Sequence, residues 1–106
     1  MDQSIAVDFD GVIHNKSNPL PGRKMGGPIE GSKEALEYLR DLGYRIIIFS
    51  YWASSEKNIK VIEDWLKFYG MPYNEITNIK PNAEAYIDDK GIRFTTWEET
   101  LNWFRY

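Results

Sequence analysis

Ile5-Ala6-Val7-Asp8-Phe9-Asp10-Gly11-Val12-Ile13 is the stretch on which the reading of the chain turns. An apolar run leads into two carboxylates one residue apart and then a glycine. Continuous apolar residues such as Ile5–Val7 suit a strand buried on both faces, as in a parallel sheet. Alternate strand residues point the same way, so Asp8 and Asp10 begin on one side. Gly11 permits a sharp turn, having no Cβ to clash. The carboxyl end of a central strand is where open α/β sheets bind ligands. Like charges this close repel, so the pair needs a cation between them, one raised pKa, or both. The plainer alternative is an acidic turn that simply ends a strand at the surface.

The totals set bounds on the rest. The 106 residues suit a single domain, 1–106, and 42% are hydrophobic, which speaks against disorder. The longest purely apolar run, Ile46–Phe49, is far below a membrane span. Met1-Asp2-Gln3-Ser4 leads almost directly into a strand, so no secretory leader is expected. Cysteine is absent, which rules out disulfides and thiolate metal sites and fits a cytoplasmic location. The formal net charge is −3 with no basic stripe, so nucleic acid is not an expected partner. A small phosphorylated molecule remains compatible, because one local cation cluster suffices to hold it.

Strands and helices alternate along the chain. Ser4–Asp8 reads as the first strand. His14–Glu30 is polar and carries Pro19, Pro21, Gly22, Gly26, Gly27 and Pro28, which predicts a loop or small flap beside the carboxylate turn. Ser32 is the expected N-cap of a helix with Ala35, Leu36, Leu39 and Leu42 on one face and Gly43 as its stop. Tyr44–Ser50 reads as a second buried strand. Ser54 or Ser55 caps a helix to about Tyr69, with Ile59, Ile62, Leu66 and Tyr69 inward. Glu75–Asn78 and Ala85–Asp88 are short strands, Gly91–Thr95 an edge strand, and Thr96 with Glu99 a capping box for a last helix. The link Lys80–Glu84 is shorter than the dozen residues a parallel crossover normally takes. The pattern predicts an α/β fold on a short central parallel sheet.

Asp8, Asp10, Ser50, Asp88 and Asp89 then fall at strand ends, and Lys80 lies just ahead of the last acidic strand. In a parallel sheet these ends converge on one rim. Several carboxylates there call for a hard cation, and oxygen ligands suit magnesium, which keeps waters and takes a few carboxylates plus substrate phosphate. A hydroxyl and a lysine remain for an anion. Taken singly, Ser50 also reads as a strand terminator, Lys80 as a solvated charge and Asp88-Asp89 as an acidic turn.

Asp8-Phe9-Asp10-Gly11-Val12, Ser50 after an apolar strand, Lys80, and Asp88-Asp89 together resemble the haloacid dehalogenase superfamily of phosphotransferases, in that family's motif order and over most of the chain. The resemblance implies a three-layer, Rossmann-like core and magnesium-dependent hydrolysis of a phosphate monoester, such as a nucleotide or sugar phosphate. Asp8 is implied as the nucleophile that becomes an aspartyl phosphate, and Asp10 as the acid and base, a role that needs a raised pKa. Ser50 and Lys80 are implied to bind the phosphoryl group; Lys57 fits the spacing worse and reads as helix surface. The Asp8 carboxylate, the Asp10 carbonyl and Asp88 are implied as magnesium ligands, with Asp89 behind them. The acid at position 10 favours phosphatase-like over pump-like or dehalogenase-like members. With only 14–30 as an insertion, the chain looks capless, with an open site that admits a large substrate or is covered by a second copy in a homo-oligomer. Tyr51-Trp52-Ala53 replaces the arginine that small relatives carry after the second motif; the two aromatics either stack on a substrate ring or bury against a neighbour. Arg23 and Lys24 either meet a second phosphate or are solvated, and Trp103 and Tyr106 mark an interface or bury in the last helix. His14, the only histidine, is a substrate contact or an ordinary flap residue. The alternative to an enzyme is a phospho-accepting or purely binding module that keeps the magnesium site. A receiver-like module places its phosphorylated Asp on a middle strand and its acidic pair early, the reverse of this order.

Overall fold

A computed structural model describes residues 3–19, 25–79, 83, 85–88, 92–102 and 104, with backbone alone at Asn18, Ala85, Tyr86, Asp88, Ile92 and Arg93. Strand β1 (Ser4–Asp8) buries Ile5, Ala6 and Val7 in succession, as a strand covered on both faces does. It is followed by β2 (His14–Pro19), β3 (Gly26–Pro28), α1 (Ser32–Asp41), β4 (Arg45–Phe49), α2 (Glu56–Phe68), β5 (Glu75–Thr77), β6 (Ala85–Asp88), β7 (Ile92–Arg93) and α3 (Trp97–Asn102). Among the described residues one sheet runs in the order β5-β4-β1-β6-β7, with every neighbouring pair parallel. The protein is thus a small α/β domain with a parallel sheet, compatible with a Rossmann-like core. Among the described residues no helix is long and apolar enough to cross a membrane.

Most boundaries follow from local chemistry. Ser55 caps α2, its side chain accepting from the Asn58 amide at 3.2 Å. Both longer helices end on a glycine at positive φ, Gly43 after α1 and Gly70 after α2. In each the next two amides fold back, Gly43 to Arg40 and Tyr44 to Leu39, Gly70 to Lys67 and Met71 to Leu66, which is the Schellman arrangement.

Two expectations are corrected and one is sharpened. The N-cap of α1 is Gly31, not Ser32: Gly31 adopts φ 85 with no side-chain cap, and Ser32 lies buried with no partner for its hydroxyl among the described residues. The left-handed backbone suits glycine at position 31, where an added Cβ would meet the Trp97 Cβ at 3.4 Å. The 14–30 stretch, expected as a loop or small flap, carries two short strands: β2 and β3 form an antiparallel hairpin pairing His14 with Pro28 and Pro19 with Gly26. The box at α3 is half made. Thr96 accepts from the Glu99 amide at 3.2 Å, while the Glu99 carboxylate takes the Thr95 hydroxyl instead of the Thr96 amide.

The link Lys80–Glu84 lies outside the described residues except for Ala83.

Candidate functional site

Asp8 is the last residue of β1 and pairs with Phe49, the last residue of β4. The next amides continue the ladder, Phe9 donating to Phe49 at 3.0 Å and Ser50 donating to Thr77 at 3.0 Å. Three parallel strands therefore end level, and their following residues share one rim. Asp8, Phe9, Asp10, Lys16, Phe49, Ser50, Tyr51 and Trp52 line a cleft of about 530 Å³ there. A smaller hollow of about 240 Å³ opens beside it between Asp8, Asp10, Gly11, Val12 and Phe94.

The turn after Asp8 is tight. The Phe9 carbonyl accepts from Ile13 at 3.0 Å and His14 at 2.8 Å, and Gly11 donates to the His14 carbonyl at 2.9 Å. Gly11 adopts φ +82, and none of the described residues comes within 4 Å of where a Cβ would stand, so its need is conformational. The turn folds His14 back beneath Asp10. His14 is buried, and its Nδ1 lies 2.8 Å from Asp10 Oδ1. Its Nε2 accepts from the Gly26 amide at 2.9 Å. An amide can only donate, so Nε2 carries no hydrogen; the neutral ring's proton sits on Nδ1 and is donated to Asp10. The ring stacks on Phe9 (5.0 Å, 15°) and meets Trp65 edge-on (5.5 Å, 78°).

Ser50 is buried at the β4 end, and its hydroxyl oxygen accepts from the Trp52 amide at 3.2 Å. With an acceptor position used, the hydroxyl hydrogen is available to an anion in the cleft. Tyr51 and Trp52 stand on the rim, 81% and 48% exposed. Tyr51 leans edge-on against Phe49 at 4.9 Å, and the Trp52 carbonyl is held by the Asn58 side chain at 2.8 Å.

Of the residues singled out in the sequence, Asp8, Asp10 and Ser50 come together in this cleft. Asp88 ends β6 next to β1, where pairing runs to Val7–Ile87. Its side chain, and Lys80, Asp89, Arg23, Lys24, Trp103 and Tyr106, lie outside the described residues. Lys57 is exposed on α2, as expected of helix surface. Among the described residues no group of three or more His, Cys, Asp or Glu side chains is arranged to hold a metal. Sequence reasoning missed Lys16, a cation lining the cleft from β2, and it missed the burial of His14. The spacing Asp10-Gly11-x-x-His14 was the available signal, since a glycine turn can return a side chain to the residue four before it.

No protein-family model and no curated protein matches the chain. Among solved structures, a conserved protein from Bacteroides thetaiotaomicron is similar in fold, with a TM-score of 0.73 at 21% identity over 99% of this chain and 91% of that one.

Proposed function

We propose that the chain is a magnesium-dependent phosphatase acting on a phosphate monoester, a small capless member of the haloacid dehalogenase superfamily. One observation carries the reading: Asp8, Asp10 and Ser50, from the ends of two adjacent parallel strands, line a single cleft. Asp8 attacks phosphorus as the bond to the leaving oxygen breaks, and Asp10 gives that oxygen a proton. Asp10 then takes a proton from water, which attacks the aspartyl phosphate and frees Asp8 and inorganic phosphate. Ser50 donates to a phosphoryl oxygen, and Lys80 is assigned the neutralising charge.

The donors are all oxygen, a set that fits magnesium, which keeps several waters and needs few carboxylates. The Asp8 carboxylate, the Asp10 carbonyl and Asp88 are the assigned ligands. Held there, magnesium would supply positive charge to offset that of the phosphoryl group. The cleft's open rim supports a substrate of nucleotide or sugar phosphate size.

The test is phosphate release from nucleoside monophosphates, sugar phosphates and 4-nitrophenyl phosphate, with magnesium, with chelator, and with Asp8→Asn. Magnesium-dependent turnover lost in the variant supports the reading. A folded protein inert on every substrate turns it towards a binding or phospho-accepting module.

A further inference from the structure

We infer that His14 is a positioning residue that holds the Asp10 carboxyl by one oxygen and so leaves the other to handle the leaving-group proton; this rests on the phosphatase reading above. Asp10 Oδ1 is engaged by His14 Nδ1 at 2.8 Å. The side chain of His14 is 6% exposed and that of Asp10 37%, so the acid reaches the cleft while its partner is enclosed.

The ring is fixed in every direction that matters to that bond. Gly26 donates to Nε2 at 2.9 Å, which places the hydrogen on Nδ1. The Gly26 carbonyl is itself held by Trp65 Nε1 at 3.0 Å. Phe9, between the two acids, stacks face to face on the imidazole. A ring held only as a hairpin staple needs the Gly26 bond and the stack. It does not need a hydrogen aimed at the one side chain assigned to proton transfer.

The proton accounting follows. In the first step the proton on Asp10 Oδ2 passes to the leaving oxygen as its bond to phosphorus breaks. The carboxylate so formed keeps the Nδ1–H bond on Oδ1. In the second step Oδ2 takes a proton from the attacking water. His14 neither gains nor loses a proton, since Nδ1 is already a donor and Nε2 is occupied by Gly26. Its task is direction: a general acid works only within hydrogen-bond reach of the atom it serves.

The experiment compares phenyl phosphate with 4-nitrophenyl phosphate, substrates of similar shape whose leaving groups differ in their need for a proton. Wild type, His14→Phe and His14→Asn are assayed with magnesium. His14→Phe keeps a ring against Phe9 and Trp65 but loses both nitrogens. His14→Asn returns an N–H near the Nδ1 position. We expect His14→Phe to lose kcat by roughly 10–100-fold on phenyl phosphate, part of the 10²–10⁴ a positioned acid contributes, and by only a few-fold on 4-nitrophenyl phosphate. His14→Asn should bring the ratio of the two rates back to within about threefold of wild type. That ratio is read within one preparation and does not depend on the fraction folded. Equal losses on both substrates, or an Asn variant as selective as the Phe variant, overturn the positioning role and leave the phosphatase reading standing. A folded wild type inert on both of these and on the nucleoside monophosphates and sugar phosphates overturns the reading and the inference with it.

Discussion

Trp65 Nε1 donates to the Gly26 carbonyl at 3.0 Å, across thirty-nine positions of sequence, and ties α2 to the second strand of the hairpin. The indole is 7% exposed and meets Phe9 edge-on at 5.0 Å. Trp65→Phe keeps an aromatic ring at the junction but removes the donor. A buried carbonyl left without its partner costs about 1–3 kcal/mol, and the smaller ring adds a cavity term. Urea unfolding should show a lower midpoint with little change in slope. A loss below about 0.5 kcal/mol, within the range of a neutral surface change, speaks against the bond as a tie between hairpin and domain.

That tie also shows where sequence reading reached and where it stopped. Ile5–Val7 was legible because a central parallel strand is apolar on both faces, and α2 because its cap and its glycine stop are local chemistry. The β2–β3 hairpin was not, since Pro19, Gly26, Gly27 and Pro28 carry the signature of a loop. Proline is tolerated in this ladder because a two-stranded ribbon has outer edges that need no ladder donor. The enclosure of His14 was harder to read for a different reason, although its spacing from Asp10 hinted at their contact. Its burial depends on Trp65 and Gly26, which no periodicity connects to it. The convergence of Asp8, Asp10 and Ser50 was readable, because parallel strands bring their carboxyl ends to one rim whatever lies between them.

Gly11 and Gly31 separate two reasons for a glycine. Both adopt positive φ, +82 and +85, but among the described residues only Gly31 faces a neighbour, the Trp97 side chain at 3.4 Å. Gly11→Ala should cost about 1–2 kcal/mol, the strain of a left-handed residue. Gly31→Ala should cost somewhat more, because the new methyl also meets the Trp97 side chain at 3.4 Å, the near edge of ordinary contact. Thermal unfolding of the two variants checks the order. Equal losses imply that Trp97 yields freely and that only backbone strain matters.

Ser50 receives the Trp52 amide and has its hydroxyl hydrogen to give. A hydrogen bond to a charged group contributes about 1.5–3 kcal/mol. Ser50→Ala should therefore lower kcat/KM for a phosphate monoester by roughly 10–100-fold, at 1.4 kcal/mol per tenfold. Ser50→Thr keeps the hydroxyl and should recover most of the loss. A Thr variant as poor as Ala implies that the site cannot accommodate a methyl group there; an Ala variant as active as wild type removes Ser50 from phosphate binding.

Magnesium should stabilise the folded chain as well as support turnover. A ligand that binds only the native state adds about 2.7 kcal/mol at a hundredfold excess over its Kd. The melting temperature should rise with added magnesium and fall back with chelator. Asp8→Asn removes one of the two carboxylates described in the cleft and should flatten that response. A magnesium-dependent rise that survives both Asp8→Asn and Asp10→Asn locates the ion elsewhere.

The rim makes a separate prediction about substrate size. Tyr51 and Trp52 are exposed beside the carboxylates, and Lys16 lines the same cleft from the hairpin. The Trp52 backbone is braced on both sides, its amide by Ser50 and its carbonyl by Asn58, so the ring is presented from a fixed base. An aromatic contact adds about 0.5–1.5 kcal/mol beyond its buried area. If the leaving group is a nucleoside, Trp52→Ala should raise KM by several-fold and leave kcat nearly unchanged, because the contact is the same before and during reaction. Lys16→Ala should do likewise only for substrates with a second anionic group. On 4-nitrophenyl phosphate, whose ring is small and uncharged, Lys16→Ala should have little effect. A Trp52→Ala variant that instead loses kcat on every substrate points to disturbance of Ser50 through the shared turn, and then the rim supports the phosphate site without reading the rest of the substrate.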